Sequence, residues 1–591
     1  MSETPSTTVS SSSSPRVIRP VAWLLADAAV AALFAGAIEV MLLFVLSPDR
    51  PMTAGGFFAA AFALLPQIVV VFVLTGPALV MIGLFLSFGR STRAGLSTRY
   101  ILRIAWLDAV LLLLAAWRQW EALGVVLPGR AQVALGLTIA LLGAAVLFLA
   151  LLVVVDLRRS KSVTGPWLIA VAVGLSVGLA VAAQIRRVRH PGRPPVEPRA
   201  AIEAFHRVLL VEIPALSPTD LRGYLGAGLA PSLEAVAASG WLRPVAPGPL
   251  PDPIALHASL ITGRSPRRHG IFGAVRYQPA SDSRSFAVFP RGLFLRPLVH
   301  TRLWRRLPVS VDALQVSGWP EILAAHGLEG LLVGDPLGWP GQVPASELAP
   351  GQRVEWGRRG GVVVCSDPGE MVGRLFDEGA VSRRWLEEQA DRARLALAAD
   401  LCALEIGAEA VADPGVAMVH LRLAGYESLA FRLGGYRADC PAFGVGDDEI
   451  SVYGKALARY FRLLEPGFRR LLDAETGSPR SFVTVLVSPV GFGPRYDLGR
   501  IAGVLAGLRG PTGTHAGGPE GVLLVGGPVE PTLAGDGAVE VVKLLPALMA
   551  SLGVPPGAGA VSVPGALAGG GRGRSRKLDA RIEEMGIVPI P

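Results

Sequence analysis

The chain has 591 residues, of which 51% are hydrophobic and 17% charged, with a mean hydropathy of +0.46. Soluble domains are about a quarter charged, so composition excludes a purely soluble or disordered protein. The net charge of +9 suggests a polyanion partner, but residues 1–199 hold 17 Arg/Lys against 8 Asp/Glu, while residues 200–591 hold 39 of each sign. The excess lies beside the apolar runs, which speaks for membrane topology and against nucleic acid as a partner.

Residues 1–20 open with the Ser/Thr tract MSETPSTTVSSSSSP, too polar to bury a core, and read as a disordered tail. Apolar runs follow at 21–46, 60–88, 101–123, 131–155 and 164–184, each near the length of about 20 residues that crosses a bilayer. They predict an α-helical transmembrane domain over 21–184, with about five helices and membrane lipid as a partner. Arg90, Arg93, Arg99 and Arg103 in one loop, and Arg158, Arg159 and Lys161 in another, place those loops and the N-terminus in the cytoplasm. An odd number of spans then puts the C-terminal domain outside an inner or plasma membrane. The Pro-rich linker 185–204 carries Arg186, Arg187, Arg189, Arg193 and Arg199 on that outer side, against the rule, although large domains translocate largely regardless of charge. Asp27, Glu39 and Asp108 lie within spans, where an ionisable residue is either functional or a pairing group between helices.

From residue 205 the pattern becomes short β-branched runs alternating with helical segments. HRVLLVEI, GLLVGD, GVVVC, VAMVHLRL, SFVTVLVS and GVLLVGG read as strands; PSLEAVAASG, SVYGKALARYFRLLEPGFRRLL and VVKLLPALMASLG read as helices. Alternation of this kind predicts an α/β doubly wound fold, a mostly parallel sheet covered on both faces, with chemistry at the carboxyl ends of its strands. Cys365, Cys402 and Cys440 form no metal-binding pair, and Cys365, closing an apolar run, reads as a buried core thiol. An Arg- and aromatic-rich insert at 272–318 is either a lid over the cleft or a surface excursion. The Gly/Arg-rich tail 561–591 ends in KLDARIEEMGIV, a candidate amphipathic helix.

The segments VLLVEIPALSPTDL, LPDPIALHASLITGRSPRRHGI, YFRLLEPGFRRLL, VLVSPVGFG and THAGGPEGVLLVGGPV occur in the order and spacing of the alkaline phosphatase superfamily. The domain 205–560 resembles its type I phosphodiesterase and nucleotide pyrophosphatase branch, above all in the motif held by His257, Leu260, Thr262, Gly263, Pro266, His269, Gly270 and Ile271. The arrangement of spans followed by this domain is similar to that of lipoteichoic acid synthases and lipid A phosphoethanolamine transferases. The resemblance implies two divalent metal ions, usually zinc, held by Asp and His at strand ends, with a Thr or Ser nucleophile between them.

Carried across residue by residue, that centre is missing. The Asp-Gly ending the first strand falls on Pro214 and Ala215; the nucleophile falls on Pro253. The Asp and His after VAMVHLRL fall on Ala424 and Ser428, or on Gly425 and Leu429 with a shift of one. The Ser-Asp-His-Gly motif reads Ser488, Pro489, Val490 and Gly491. Only His515 keeps a metal-ligand position, so no cofactor is predicted. The scaffold residues His257, Thr262, Gly263, His269 and Gly270 survive. Glu212, Asp252, Asp447, Asp448 and Asp497 are the acids from which a replacement site would have to be built.

The expectation is therefore a membrane-anchored, catalytically degenerate phosphodiesterase-like protein, a binding or scaffold component of an envelope pathway with protein partners or a phosphorylated or glycosylated ligand. The alternatives are a metal-dependent hydrolase or phosphoryl-headgroup transferase around His515, and a transporter-like component resting on Asp27, Glu39 and Asp108.

Overall fold

A computed structural model describes the helix Gly129–Arg158, isolated helical positions between 58 and 120, and residues 199–554 except 249, 251, 281–284, 287–303, 358–360, 378–382, 477–480, 497, 506–509, 516–517 and 528–536. The predicted spans 21–46 and 164–184, the linker residues 185–198 and the tail 561–591 lie outside the described residues, as do Asp27, Glu39, Asp108 and Asp497. Among the described residues no helix is long and apolar enough to cross a membrane.

The central sheet has eight strands: β1 Arg207–Glu212, β2 Trp241–Ala246, β3 Glu329–Asp335, β4 Val343–Pro344, β5 Val416–Arg422, β6 Phe482–Val490, β7 Glu520–Gly526 and β8 Val539–Glu540. Their spatial order is β8, β2, β7, β6, β1, β5, β3, β4. Pairing is parallel from β6 through β1, β5 and β3 to β4, and again between β8 and β2. The mostly parallel sheet is thus as the alternation predicts, and β7 departs from it by running antiparallel to both neighbours.

Strand alternation divides the core. In β1, Leu209 and Val211 join one apolar cluster while Val208 and Leu210 join the other. The first face is covered by the helices α2 Arg383–Ala412, α3 Gly425–Leu433 and α4 Ala456–Thr476. The second carries α1 Pro253–Thr262 and α5 Val541–Ser551. A sheet buried on both faces explains why its strands read as continuous apolar runs.

Three readings are corrected. GVVVC is not a strand of the central sheet: Gly361–Val364 pairs antiparallel with Arg353–Trp356 in a separate hairpin, and Val364 is exposed, so β-branched composition misplaced it. Cys365 is not a thiol, because that hairpin lies on α2 and brings Cys365 into a disulfide with Cys402, leaving Cys440 free. The long helix predicted from Ser451 is two helices, Asp447–Tyr453 and α4, separated at Gly454. In the insert 272–318, Val275–Pro279 pairs antiparallel with Trp304–Pro308, and Trp304 and Phe286 pack together with ring centroids 6.1 Å apart.

Candidate functional site

The carboxyl ends of β1, β5 and β3 gather a polar cluster that follows from alternation and register. Beyond Val208 and Leu210 the same face of β1 ends on Glu212; beyond Met418 the same face of β5 carries His420 and Arg422. The parallel register pairs Leu210 with His420 and Glu212 with Arg422, so acid, imidazole and guanidinium are cross-strand neighbours. Helix α1 covers this face and lowers His257 into it.

Glu212 Oε2 lies 2.6 Å from His257 Nδ1 and 3.2 Å from His420 Nε2. The other nitrogen of His257 is 3.3 Å from Asp335 Oδ1, and Asp335, last residue of β3, accepts backbone N–H bonds from Leu337 at 3.0 Å and Trp339 at 2.6 Å. The side chains of Glu212, His257 and His420 are entirely buried. Burial pushes the Glu212 carboxyl up, but His257, His420 and Arg422 outweigh it and hold the group far below the usual carboxylate range. For His257, burial opposes the charge, while Glu212 and Asp335 on its two nitrogens win and raise it. His420 ends lowered, since burial prevails over Glu212.

Arg422 carries the cluster outward. Its Nε is 3.4 Å from Glu212 Oε1, and its Nη2 donates to Glu427 Oε2 at 3.0 Å. The other oxygen of Glu427, on α3, is 3.3 Å from His515 Nε2, and His515 Nδ1 donates to the Gly491 carbonyl at 3.1 Å. A continuous chain therefore runs Asp335, His257, Glu212, Arg422, Glu427, His515. It reaches solvent only at its last two members, whose side chains are 21% and 12% exposed. Burial tends to raise Glu427, but His515 and Arg422 lower it overall.

The position that the resemblance assigns to a nucleophile is a helix start. Pro253 is the first residue of α1, and Asp252 caps it, its Oδ1 accepting from Ile254 N at 3.0 Å and Ala255 N at 3.1 Å. Burial raises the Asp252 carboxyl, the two N–H groups oppose it, and Glu427 nearby adds to the rise. Pro214 opens the turn that follows β1. Ala215 there holds φ +76°, the left-handed conformation of a glycine, and donates to Val490 O. Ala424 precedes α3 and Ser428 lies within it. At Gly425 a Cβ would stand 2.1 Å from the Tyr460 hydroxyl, so no ligand side chain fits there. Pro489 and Val490 are buried at the end of β6, and Ser488 Oγ is spent on Leu216 N and Val490 O.

These residues do not fit a two-metal centre: five of the six positions offer no donor suited to it, and His515 is bound to Glu427. The group of His, Cys, Asp or Glu close enough to hold an ion among the described residues is a different one, Glu212, His257 and His420, whose donor atoms lie within 4.8 Å of one another. Of the motif residues, His269 shares a hydrogen bond with Ser259 and accepts from Ile271 N, burial lowering it to about 3, and Thr262 donates to Ala258 O. His257 joins the charged cluster. Asp447 and Asp448 begin their own helix in the first turn. His420, Arg422, Glu427 and Asp335 escaped the sequence reading. The signal for two of them was available, since a His and an Arg interrupt the otherwise apolar strand VAMVHLRL on one face.

Residues 208–401 match the family model for type I phosphodiesterase/nucleotide pyrophosphatase. The match starts in β1 and takes in α1 with its scaffold motif. No curated protein sequence matches the chain. Among solved structures, the chain is similar to phosphonoacetate hydrolase from Sinorhizobium meliloti at 15% identity and TM-score 0.29, covering 51% of this chain and 62% of that one. It is similar to murine ectonucleotide pyrophosphatase/phosphodiesterase 5 at 10% identity and TM-score 0.33, covering 59% and 95%. A third is an alkaline phosphatase superfamily protein from Vibrio parahaemolyticus, at 11% identity and TM-score 0.27, covering 62% and 69%. The chain thus spans less than two thirds of the length of the hydrolase.

Proposed function

We propose that residues 205–560 form a phosphodiesterase-like binding domain without hydrolytic chemistry, tethered to a membrane by residues 21–184 and serving an envelope pathway from outside the cytoplasm. One observation carries this reading: the position the resemblance assigns to the nucleophile is Pro253, at a helix start, and the polar groups at the neighbouring strand ends are closed into a series of ion pairs from Asp335 to Glu427. Hydrolysis of a phosphodiester needs a nucleophile and cationic groups facing the substrate. Here the guanidinium is 5% exposed and both of its faces are engaged by carboxylates. The ligand the cleft would take is a phosphorylated or glycosylated envelope component, or a protein partner.

The outward placement draws support from the buried Cys365–Cys402 bridge, because disulfides persist in oxidising compartments. The tether rests on the hydropathy and arginine pattern of the first 199 residues. A second reading keeps a hydrolase or headgroup transferase around His515, and the observation favouring it is the partly exposed His515–Glu427 pair beside Asp252.

Turnover of bis-p-nitrophenyl phosphate by the full-length protein, with zinc or manganese supplied, separates the two. The proposal expects no turnover above the buffer rate, and the same for His515→Ala. Metal-dependent turnover abolished in His515→Ala would establish the second reading.

A further inference from the structure

Beneath the lost two-metal centre, Glu212, His257 and His420 converge from β1, α1 and β5 with all three side chains at zero exposure. Two imidazoles and one carboxylate are a donor set suited to zinc, which is bound by His nitrogen at about 2.0 Å and carboxylate oxygen at about 2.0–2.2 Å. Tetrahedral donors at those lengths stand about 3.4 Å apart. The three donor atoms here lie within 4.8 Å of one another, and Glu212 Oε2 is 2.6 Å and 3.2 Å from its two imidazole partners.

Two further features are those of a metal site. His257 turns its second nitrogen to Asp335, itself fixed by two backbone N–H groups, which is the carboxylate–histidine arrangement that orients metal-bound imidazoles. Glu212 Oε1 lies 3.4 Å from Arg422 Nε, which fixes the carboxylate with its other oxygen toward the two imidazoles.

We infer that Glu212, His257 and His420 bind one divalent cation of zinc type as a sealed structural site. With no solvent-facing position, such an ion would lock β1, β5 and α1 together and take no part in turnover, as structural sites are closed and catalytic ones keep a position open. The inference shares Glu212 and His257 with the ion-pair series that carries the reading of the domain as non-hydrolytic, and the two are told apart by their readouts, metal content here and turnover there.

The test is metal content of the full-length protein by mass spectrometry after zinc loading and gel filtration, with thermal unfolding before and after chelation. The expected result is about one equivalent of zinc, a melting temperature lowered by chelator, and at least about a tenfold loss of affinity in His257→Gln and His420→Gln but not in His515→Ala. Cobalt substitution should give the intense visible absorption of a tetrahedral site. Zinc below about a tenth of an equivalent, with a melting temperature indifferent to chelator, would mean that protons alone occupy the cluster and would overturn the inference. So would zinc lost in His515→Ala and retained in His257→Gln. The chelation arm uses the unmutated protein, so a variant that fails to fold leaves the test intact.

Discussion

Glu212 and Asp400 lie on opposite faces of one sheet, and each has its carboxylate shut away from water. Glu212 ends β1 among His257, His420 and Arg422, and its carboxyl is driven down. Asp400 sits on α2, accepting from Gly425 N at 3.0 Å and the Tyr460 hydroxyl at 2.9 Å, and burial pushes it up to about 7, its neutral donors and the field of Arg422 lowering it too little to offset that. The same chemical group at the same depth therefore titrates in opposite directions, and the sign is set by whether a cation stands within contact. The polar cluster on the β1 side is a charge-compensated assembly, whereas Asp400 is a hydrogen-bonded acid that prefers its proton.

Removing the cation should break that contrast most sharply. Arg422→Met leaves Glu212 and Glu427 without their shared guanidinium, and chemical denaturation should show a loss of about 3–5 kcal/mol, the range for stripping one partner from a buried pair. A loss under about 1 kcal/mol would mean that the histidines compensate Glu212 unaided.

Asp400→Asn probes the other side through pH. A folded pKa raised to about 7 from 3.8 means that the native state binds the proton more tightly. This contribution is whole below pH 4 and is lost as pH rises through 7. The unmutated protein should accordingly be more stable at pH 5 than at pH 8 on this account, and the Asn variant should flatten the slope and gain on the order of a few kcal/mol at pH 8. Glu212 has the reverse sign: its folded value is depressed, so its contribution is present above pH 4.5 and fades as pH falls below it. An unchanged pH profile in Asp400→Asn would show that Asp400 is ionised at neutral pH.

The smallest effect is expected at Asp252, between the two regimes, where a helix start offers partial charge and no full cation. Asp252→Asn keeps the cap and removes a negative charge beside Glu427, so thermal unfolding should move by less than about 0.5 kcal/mol. Asp252→Ala should cost about 1 kcal/mol.

How far the sequence reaches can be seen residue by residue. While the helix Pro253–Thr262 with its Asp252 cap went unpredicted, the strand at 207–212 was legible because an apolar run acts locally, as were the prolines at 214, 253 and 489. The GVVV hairpin and the Cys365–Cys402 bridge were not, since a β-branched run does not say which sheet it joins and the two cysteines are 37 residues apart in sequence. Glu212 was legible as a candidate while its partners were hidden, because His420 lies 208 residues away and His257 lies 45. By itself the sequence determined the α/β pattern, the motif from His257 to Ile271 and a proline, with no hydroxyl, at residue 253, all written in short windows of chain. Only the tertiary structure decided what the remaining polar groups do. Parallel register sets Glu212 against Arg422, the packing of α1 sets His257 against both carboxylates, and burial turns those contacts into a charge-compensated cluster.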